Sequence, residues 1–571
     1  MAGPTRILIV GGYGTFGGRL VQLLEDEPRL TLLVAGRSLS RAHEFCTSRK
    51  QAVAQLVPLQ FDRERVGAEE LASLRPDLVV DASGPFQAYG DRAYRLVDLC
   101  VECRIHYLDL ADATDFVAGI GLRDEAARAA GVFVLSGASS FPVLSGAVVR
   151  RLAEGLSRVR KIRGGIAPTP YAGVGLNVIR AIASYAGQAV EIRRGGRKSI
   201  GRPFAETMSF VICAPGRIPL ERRRFSLVDV PDLRTLPQQW LDVEEVWMGA
   251  APMPASLHRV LNAFAWLVRL RLLPSLAWLA GAMQLATDHL RWGAHRGGMF
   301  VRVEGDDRNG RPVAREWHLL AEGDDGPLIP SMAAEIIVRK LLAGIAPPAG
   351  ARTAESDVNL SDYELLFARR DLYSGTRDSS VEAGAPLYRK LLGSAWDQLP
   401  WQIRALHSVT SESTYEGICS VDRGRNPLSR LVAALYGFPA AGSDLPVTVN
   451  FKAEDGGERW TRTIGGARFF SVQKPGRGRS ERFLLERFGP VSVDIALVVD
   501  GASLRYVVCG WRLLGIPMPR WLGPRSTAFE TVENEKFRFD VEIALPFAGL
   551  IVRYRGLLDV SSEAERAAVR A

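Results

Sequence analysis

From Arg6 to about Pro142, short apolar runs alternate with stretches in which apolar residues recur every three or four positions. Short apolar runs bounded by turn residues suit buried parallel strands, and the recurring spacing suits amphipathic helices packed across them. The pattern predicts strands at Ile7–Val10, Leu30–Ala35, Leu56–Phe61, Leu78–Ala82, His106–Leu110 and Val132–Ser136. It predicts helices at Gly17–Glu25, Ser40–Ser48, Ala68–Leu74, Arg92–Cys103 and Arg123–Ala130. Strand and helix in alternation give an α/β class with a doubly wound parallel sheet over residues 1–142.

The pattern then changes. Residues 143–350 mix a helix (Ser145–Gly155) with β-like runs at Val159–Ile166, Thr207–Cys213, Met299–Gly305 and Arg315–Glu322, an α+β composition suited to a substrate or dimerisation domain. Two apolar pieces, Val260–Val268 and Leu276–Leu285, fit short helices whose apolar faces line a substrate cavity, pack in a dimer or rest on a membrane surface. Pro330–Ala343 reads as a closing helix, ended by Gly344 and expected to pack back on the first domain. Residues 351–385 are rich in Ser, Asp, Glu, Arg and Gly and read as a linker. Pro386–Leu406 and Leu428–Leu435 look helical. Alternating strands follow from Val447 to Tyr554, joined by turn signals such as Asp455-Gly456, Gly465-Gly466 and Asp500-Gly501. A mainly antiparallel β domain is expected over 386–558, with a tail over 559–571.

Length and composition narrow the class. The 571 residues exceed one compact core, and 47% apolar with 24% charged residues is ordinary for a globular protein. The net charge of +9 comes from 72 basic against 63 acidic residues. Because the arginines are scattered, a solvated surface is expected rather than a nucleic-acid partner. The six cysteines are too sparse for a disulfide scaffold and are expected as free thiols in a reducing, cytoplasmic setting. Arg259, Arg269, Arg271 and Pro274 interrupt the apolar stretch 257–292, which argues against a spanning helix and leaves peripheral membrane or lipid contact open. Cys100, Cys103 and His106 form C-x-x-C-x-x-H without a second ligand pair, so no metal site is expected. No G-x-S-x-G elbow is present.

After the first strand comes Gly11-Gly12-Tyr13-Gly14-Thr15-Phe16-Gly17, which is G-x-G-x-x-G at Gly12, Gly14 and Gly17. Gly12 permits the tight turn, Gly14 admits a pyrophosphate and Gly17 lets helix and strand approach, and Thr15 and Phe16 within the loop are expected to bind the cofactor with them. This is the Rossmann fingerprint. About 20 residues on, where an NAD enzyme carries an acid for the ribose 2′-hydroxyl, stands Ala35-Gly36-Arg37-Ser38. Arg37 and Ser38 suit a 2′-phosphate, with Gly36 leaving room for it, so NADP is expected in preference to NAD. Asp62 meets the adenine edge or caps a turn. Asp81-Ala82-Ser83-Gly84-Pro85 ends the fourth strand at the sheet's carboxyl edge, where the nicotinamide ribose is expected beside Ser83, Gly84 and Pro85. Tyr107 and Asp109 share a face of the fifth strand. Each is a weak catalytic candidate with an equal structural alternative, a packed aromatic for Tyr107 and a cap for Asp109.

Through GGYGTFG, AGRS, DASGPFQ, CVECRIHYLDL and SGASSFPVLS, residues 6–350 resemble the saccharopine dehydrogenase family, in its reductase-like branch. The resemblance implies a Rossmann domain with an inserted α/β substrate domain and hydride transfer with a nicotinamide. The cationic side chains that saccharopine would need are not matched one by one. Related bacterial enoyl reductases of lipid synthesis and the apolar stretch 257–285 suggest a greasy small-molecule substrate. Residues 386–558 resemble a bacterial domain of unknown function found behind such reductases. Arg487, Arg512, Arg520 and Arg525 with Glu486, Glu530 and Glu533 are expected there as ion pairs on a sheet face rather than a polar pocket. The expected function is an NADP-dependent oxidoreductase acting on an imine, carbonyl or enoyl group, with a homodimer left open. The alternative is a non-catalytic NADP-binding sensor or scaffold.

Overall fold

The computed structural model describes residues 4–173, 175–382 and 384–560. The tail expected over 559–571 therefore lies, from 561 on, outside the described residues. Contacts divide the chain into two compact units: Met1–Phe210 with Arg223–Tyr373, and Val211–Arg222 with the chain from Ser374 onward.

In the first unit, strands stand at β1 (Thr5–Val10), β2 (Leu30–Gly36), β3 (Gln55–Gln60), β4 (Leu78–Asp81), β5 (His106–Asp109) and β6 (Phe133–Ser136). They pair in parallel in the order β6-β5-β4-β1-β2-β3. Strand order reverses between β1 and β4, so a crevice opens at the carboxyl ends of those two strands. All of β2 is buried, as expected for a strand covered on both faces. A seventh strand, Gly350–Thr353, pairs in parallel with β6 and completes the sheet.

That strand corrects the linker reading of 351–385. Four residues of mixed polarity carry no strand signal of their own, and the open edge of β6 is what orders them. The same segment holds a helix, Leu360–Phe367, whose capping box joins Asn359 to Asp362, and the strand Leu372–Asp378. The Asn-x-x-Asp spacing was visible in the sequence as a helix start.

A second, mixed sheet runs Thr207–Phe210, Arg223–Leu227, Glu245–Ala250, Leu156–Ala167, Arg296–Asp307, Pro312–Glu322 and Leu372–Asp378. The two apolar helices are Ala255–Arg269 and Ala280–His289. Helix Ile329–Leu342 lies on helix Thr15–Leu24. Ser331 Oγ donates to Phe16 O at 3.1 Å and Arg339 Nη2 to Leu23 O at 2.8 Å.

The second unit carries an eleven-stranded antiparallel sheet in which Val491–Asp500 pairs with Leu484–Phe488 on one side and Ser503–Leu513 on the other. The two-residue strand Ile516–Pro517 is a side branch, and the other ten strands close into a barrel. Of the arginines expected as ion pairs, Arg512 grips Asp494 with both nitrogens at 2.9 Å and Arg520 meets Glu221 at 3.0 Å. Glu486 and Glu530 instead turn inward and are buried.

Candidate dinucleotide and substrate cleft

The glycine loop is held by backbone alone. Gly11 and Gly12 donate their N–H groups to Ala35 O at 2.8 and 3.0 Å, which fixes the loop to the end of β2. Gly11 has φ +78°, and a Cβ on Gly17 would stand 2.2 Å from Gly11 O. Only glycine fits Gly17, because the first helical turn crosses the β1 exit at contact distance. Helix Thr15–Leu24 starts at Gly14 with no side chain capping it. Its first-turn amides and positive dipole end are therefore offered to an anion, and this bare cradle fits a diphosphate.

At the end of β2 the site differs from the expectation. A Cβ on Gly36 would fall 2.5 Å from the Tyr13 ring. The room expected at Gly36 for a 2′-phosphate is thus filled by Tyr13, whose hydroxyl accepts from Ser38 N at 3.0 Å. Ser38 Oγ caps the next helix by accepting from Arg41 N at 3.4 Å. Arg37 is exposed, and Arg41, four residues on, lines the cleft with its guanidinium 5.2 Å from the Tyr13 ring centre. Arg41 was legible as the next cation on that helix but was not singled out. Asp62 Oδ1 accepts from Glu64 N at 3.1 Å, and Asp62 O accepts from Arg65 N and Val66 N, so the residue shapes a turn.

Ser83, Gly84 and Pro85 line the cleft beside Gly11, Gly14, Thr15 and Phe16. Beneath them Ser83 Oγ donates to Asp81 Oδ1 at 2.6 Å and lies 2.8 Å from Tyr89 Oη. The Arg63 guanidinium sits 3.5 Å over the Tyr89 ring, with Nε 3.4 Å from Asp81 Oδ2. Burial pushes the Asp81 carboxyl up, and Arg63 pulls the other way. From the opposite wall, Asn177 Nδ2 donates to Gly84 O at 2.9 Å and to Ser83 O at 3.3 Å.

Tyr107 and Asp109 are not cleft walls. Tyr107 is fully buried with Leu8, Val79 and Val134 in the apolar core behind the sheet. Asp109, also fully buried, accepts at Oδ1 from Ala111 N (3.0 Å), Gly137 N (2.8 Å) and Ser136 Oγ (3.0 Å). It ties the loops after β5 and β6 together, and burial raises its carboxyl to about 7. Alternation along a strand showed that the two share a face but not which layer that face meets.

Gln87, Ser139 and Ser140, from the loops after β4 and β6 where cavity walls are expected, also line the cleft, together with Asp112, Tyr185 and His258, which the sequence pattern did not single out. Gln87 Nε2 donates to Asp112 Oδ1 at 3.1 Å. Burial raises Asp112, and burial with Asp112 and Asp229 nearby holds the Tyr185 hydroxyl well above its ordinary value. Burial pushes His258 down to about 4, so its ring is neutral. Ser226 Oγ accepts from Asn262 Nδ2 at 2.8 Å and lies 2.7 Å from His258 Nε2. The cleft measures ≈ 920 Å³, and its far wall is apolar: Leu257, Leu261 and Phe264 from one helix, Ala282, Met283 and Ala286 from the other.

Residues 7–135 match the family model described as "Saccharopine dehydrogenase NADP binding domain". That segment is similar to the NADP binding domain of saccharopine dehydrogenases. Residues 399–558 match "Domain of unknown function (DUF4166)". A Bacillus subtilis relative, "Uncharacterized protein YndH", is 27% identical over 140 residues, which cover 21% of this chain and 66% of that protein. The saccharopine dehydrogenase (L-Glu forming) of Saccharomyces cerevisiae is similar in structure, with a TM-score of 0.46 at 12% identity over 66% of this chain and 99% of that one. A mutant meso-dapdh from Clostridium tetani scores 0.32 at 15% identity over 62% and 95%. Among the described residues no helix is long and apolar enough to cross a membrane.

Proposed function

We propose that the chain is an NADP-dependent oxidoreductase whose small-molecule substrate is largely apolar and presents an imine, carbonyl or activated alkene to the nicotinamide. One observation carries this: the bare glycine cradle and the apolar faces of helices Ala255–Arg269 and Ala280–His289 line one cleft. The bound nicotinamide supplies or takes the hydride. Gly11 to Gly17 hold the diphosphate, Arg37 and Arg41 meet the 2′-phosphate, and Ser83 to Pro85 border the nicotinamide ribose. Tyr185, kept protonated by its surroundings, gives a proton to the substrate atom that gains electron density. Apolar walls exclude water and select for chain length at about 1 kcal/mol or less per methylene.

The outer sides of the same helices carry Trp266 and Leu285, and the segment between them carries Leu272 and Trp278, all from 43% to 69% exposed, followed by the half-exposed Trp292. Arg269, Arg271 and Arg291 lie among them. Tryptophan and leucine interleaved with arginine suit an anionic lipid surface, from which a greasy substrate would enter.

The test is NADPH absorbance with imines, ketones and enoyl thioesters of graded chain length. We expect kcat/KM to climb with chain length for one of the three groups. Tight NADPH binding without consumption across the panel would instead identify a sensor.

A further inference from the structure

The barrel of the second unit is not filled by its own side chains. It holds a partly open cavity of ≈ 390 Å³ walled by aliphatic and aromatic residues such as Val493, Ile495, Val508, Phe529 and Val541. Protein interiors rarely leave voids much larger than a water molecule. A space of this size, inside a closed antiparallel barrel, falls in the range of small-molecule sites.

The polar groups at the cavity wall are already matched to one another. Arg462 Nη1 donates to Ser471 Oγ at 3.1 Å, and Nη2 lies 3.8 Å from Glu486 Oε1. Glu486 Oε1 also accepts from Ser471 Oγ (2.7 Å) and Gln473 Nε2 (3.1 Å). Glu530 accepts from Tyr506 Oη at 2.8 Å and meets His407 Nε2 at 2.6 Å. The one arginine in the wall is therefore spoken for by a carboxylate, and a second carboxylate stands across from it.

We propose that this cavity binds one uncharged, largely apolar small molecule. An anionic head would enter an apolar space with no unmatched cation and two carboxylates in view, at the cost of stripping its water. A cationic head would have to compete with the donors already on both carboxylates, Ser471, Gln473 and Arg462 at Glu486 and Tyr506 and His407 at Glu530. Entry lies by helix Pro427–Leu435, which turns Val432 into the cavity and shows Leu428, Leu431 and Leu435 outward. This proposal does not rest on the reductase reading.

The test titrates the full chain with N-phenyl-1-naphthylamine, a neutral fluorophore, read by energy transfer from Trp460 and Trp511, which line the cavity. At pH 8, 1-dodecanol, dodecanoate and dodecylammonium compete. We expect one probe per chain, displaced at least tenfold better by the alcohol than by either charged homologue. Ala528→Trp or Val508→Phe, which fill the cavity, should weaken the probe at least tenfold, while Met283→Trp in the other cleft leaves that site intact. Trp511→Phe keeps a ring in the wall and should cut the energy transfer even if the bulkier variants fold poorly. No probe bound, a probe lost only with Met283→Trp, energy transfer unchanged in Trp511→Phe, or a charged homologue competing as well as the alcohol would each overturn the proposal.

Discussion

Asn177, at the start of helix Leu176–Tyr185, donates its side-chain amide to Gly84 O at 2.9 Å across the mouth of the cleft. On the proposed reading, the contact joins a substrate-facing wall to the turn beside the nicotinamide ribose. Removing it leaves the turn after β4 without that donor, a loss of about 1 kcal/mol. Asn177→Ala should raise the Kd for NADPH roughly three- to tenfold, since about 1.4 kcal/mol is tenfold. Asn177→Asp should do worse, because a carboxylate would face the Ser83 and Gly84 carbonyls. Calorimetric titration decides this, and an unchanged Kd in both variants would contradict the bridging role.

Arg37 and Arg41 stand four residues apart where β2 gives way to its helix. Tyr13 occupies the space at Gly36, and the proposed function therefore puts the 2′-phosphate outward, toward these two side chains. Reversing a charge beside a phosphate costs far more than deleting it. Arg37→Asp is expected to weaken NADPH by about a hundredfold and NADH little. Arg41→Ala should weaken NADPH by roughly tenfold. Equal losses for the two nucleotides in parallel titrations would defeat the assignment.

The Asp109 carboxyl, raised to about 7 by burial, makes a stability prediction. Between its unfolded value near 4 and about 7, the folded chain keeps a proton that the unfolded chain releases. The folded state therefore loses stability as pH rises through that window. Asp232 and Glu355, raised to about 8 and about 7 by burial, act in the same direction. Asp109→Asn keeps an oxygen for the three donors at Oδ1 and removes the titration. Its thermal midpoint should fall less between pH 5 and pH 8 than that of the parent, a difference on the order of 2 kcal/mol. Parallel midpoints for the two proteins across this range would rule Asp109 out as the source.

The exposed tryptophans beside the apolar helices give the membrane reading its own measurement. The chain should cosediment with vesicles containing phosphatidylserine and less so with neutral ones or at high salt. Trp266→Asp with Trp278→Asp should cut that binding by at least about tenfold and leave NADPH titration unchanged. Sedimentation unaffected by the double change would sink the surface contact.

Much of this was legible because local pattern and tertiary role agree. The first six strands announce themselves through runs such as Ile7-Leu8-Ile9-Val10, buried on both faces, and the glycine loop sits where strand meets helix. The cleft's polar groups were hidden for the opposite reason. Tyr185, His258 and Asp112 lie on three segments far apart in sequence, and only the tertiary fold brings them to one cleft. Tyr107 misled because its position near a carboxyl edge suits catalysis as well as packing, and its side chain points into the core. Barrel closure was equally invisible, because the pairing of Val491–Asp500 with Ser503–Leu513 looks like any hairpin until the ring is complete.

The strand Gly350–Thr353 has a consequence for how the molecule is made. The parallel sheet is interrupted after residue 136 and resumes only at residue 350, so its outermost edge stays bare until more than two hundred further residues have been synthesised. A nascent chain must hold an unfinished nucleotide fold through that interval. The substrate region cannot be trimmed away as an appendage either, since it is a loop sewn into the sheet at both ends.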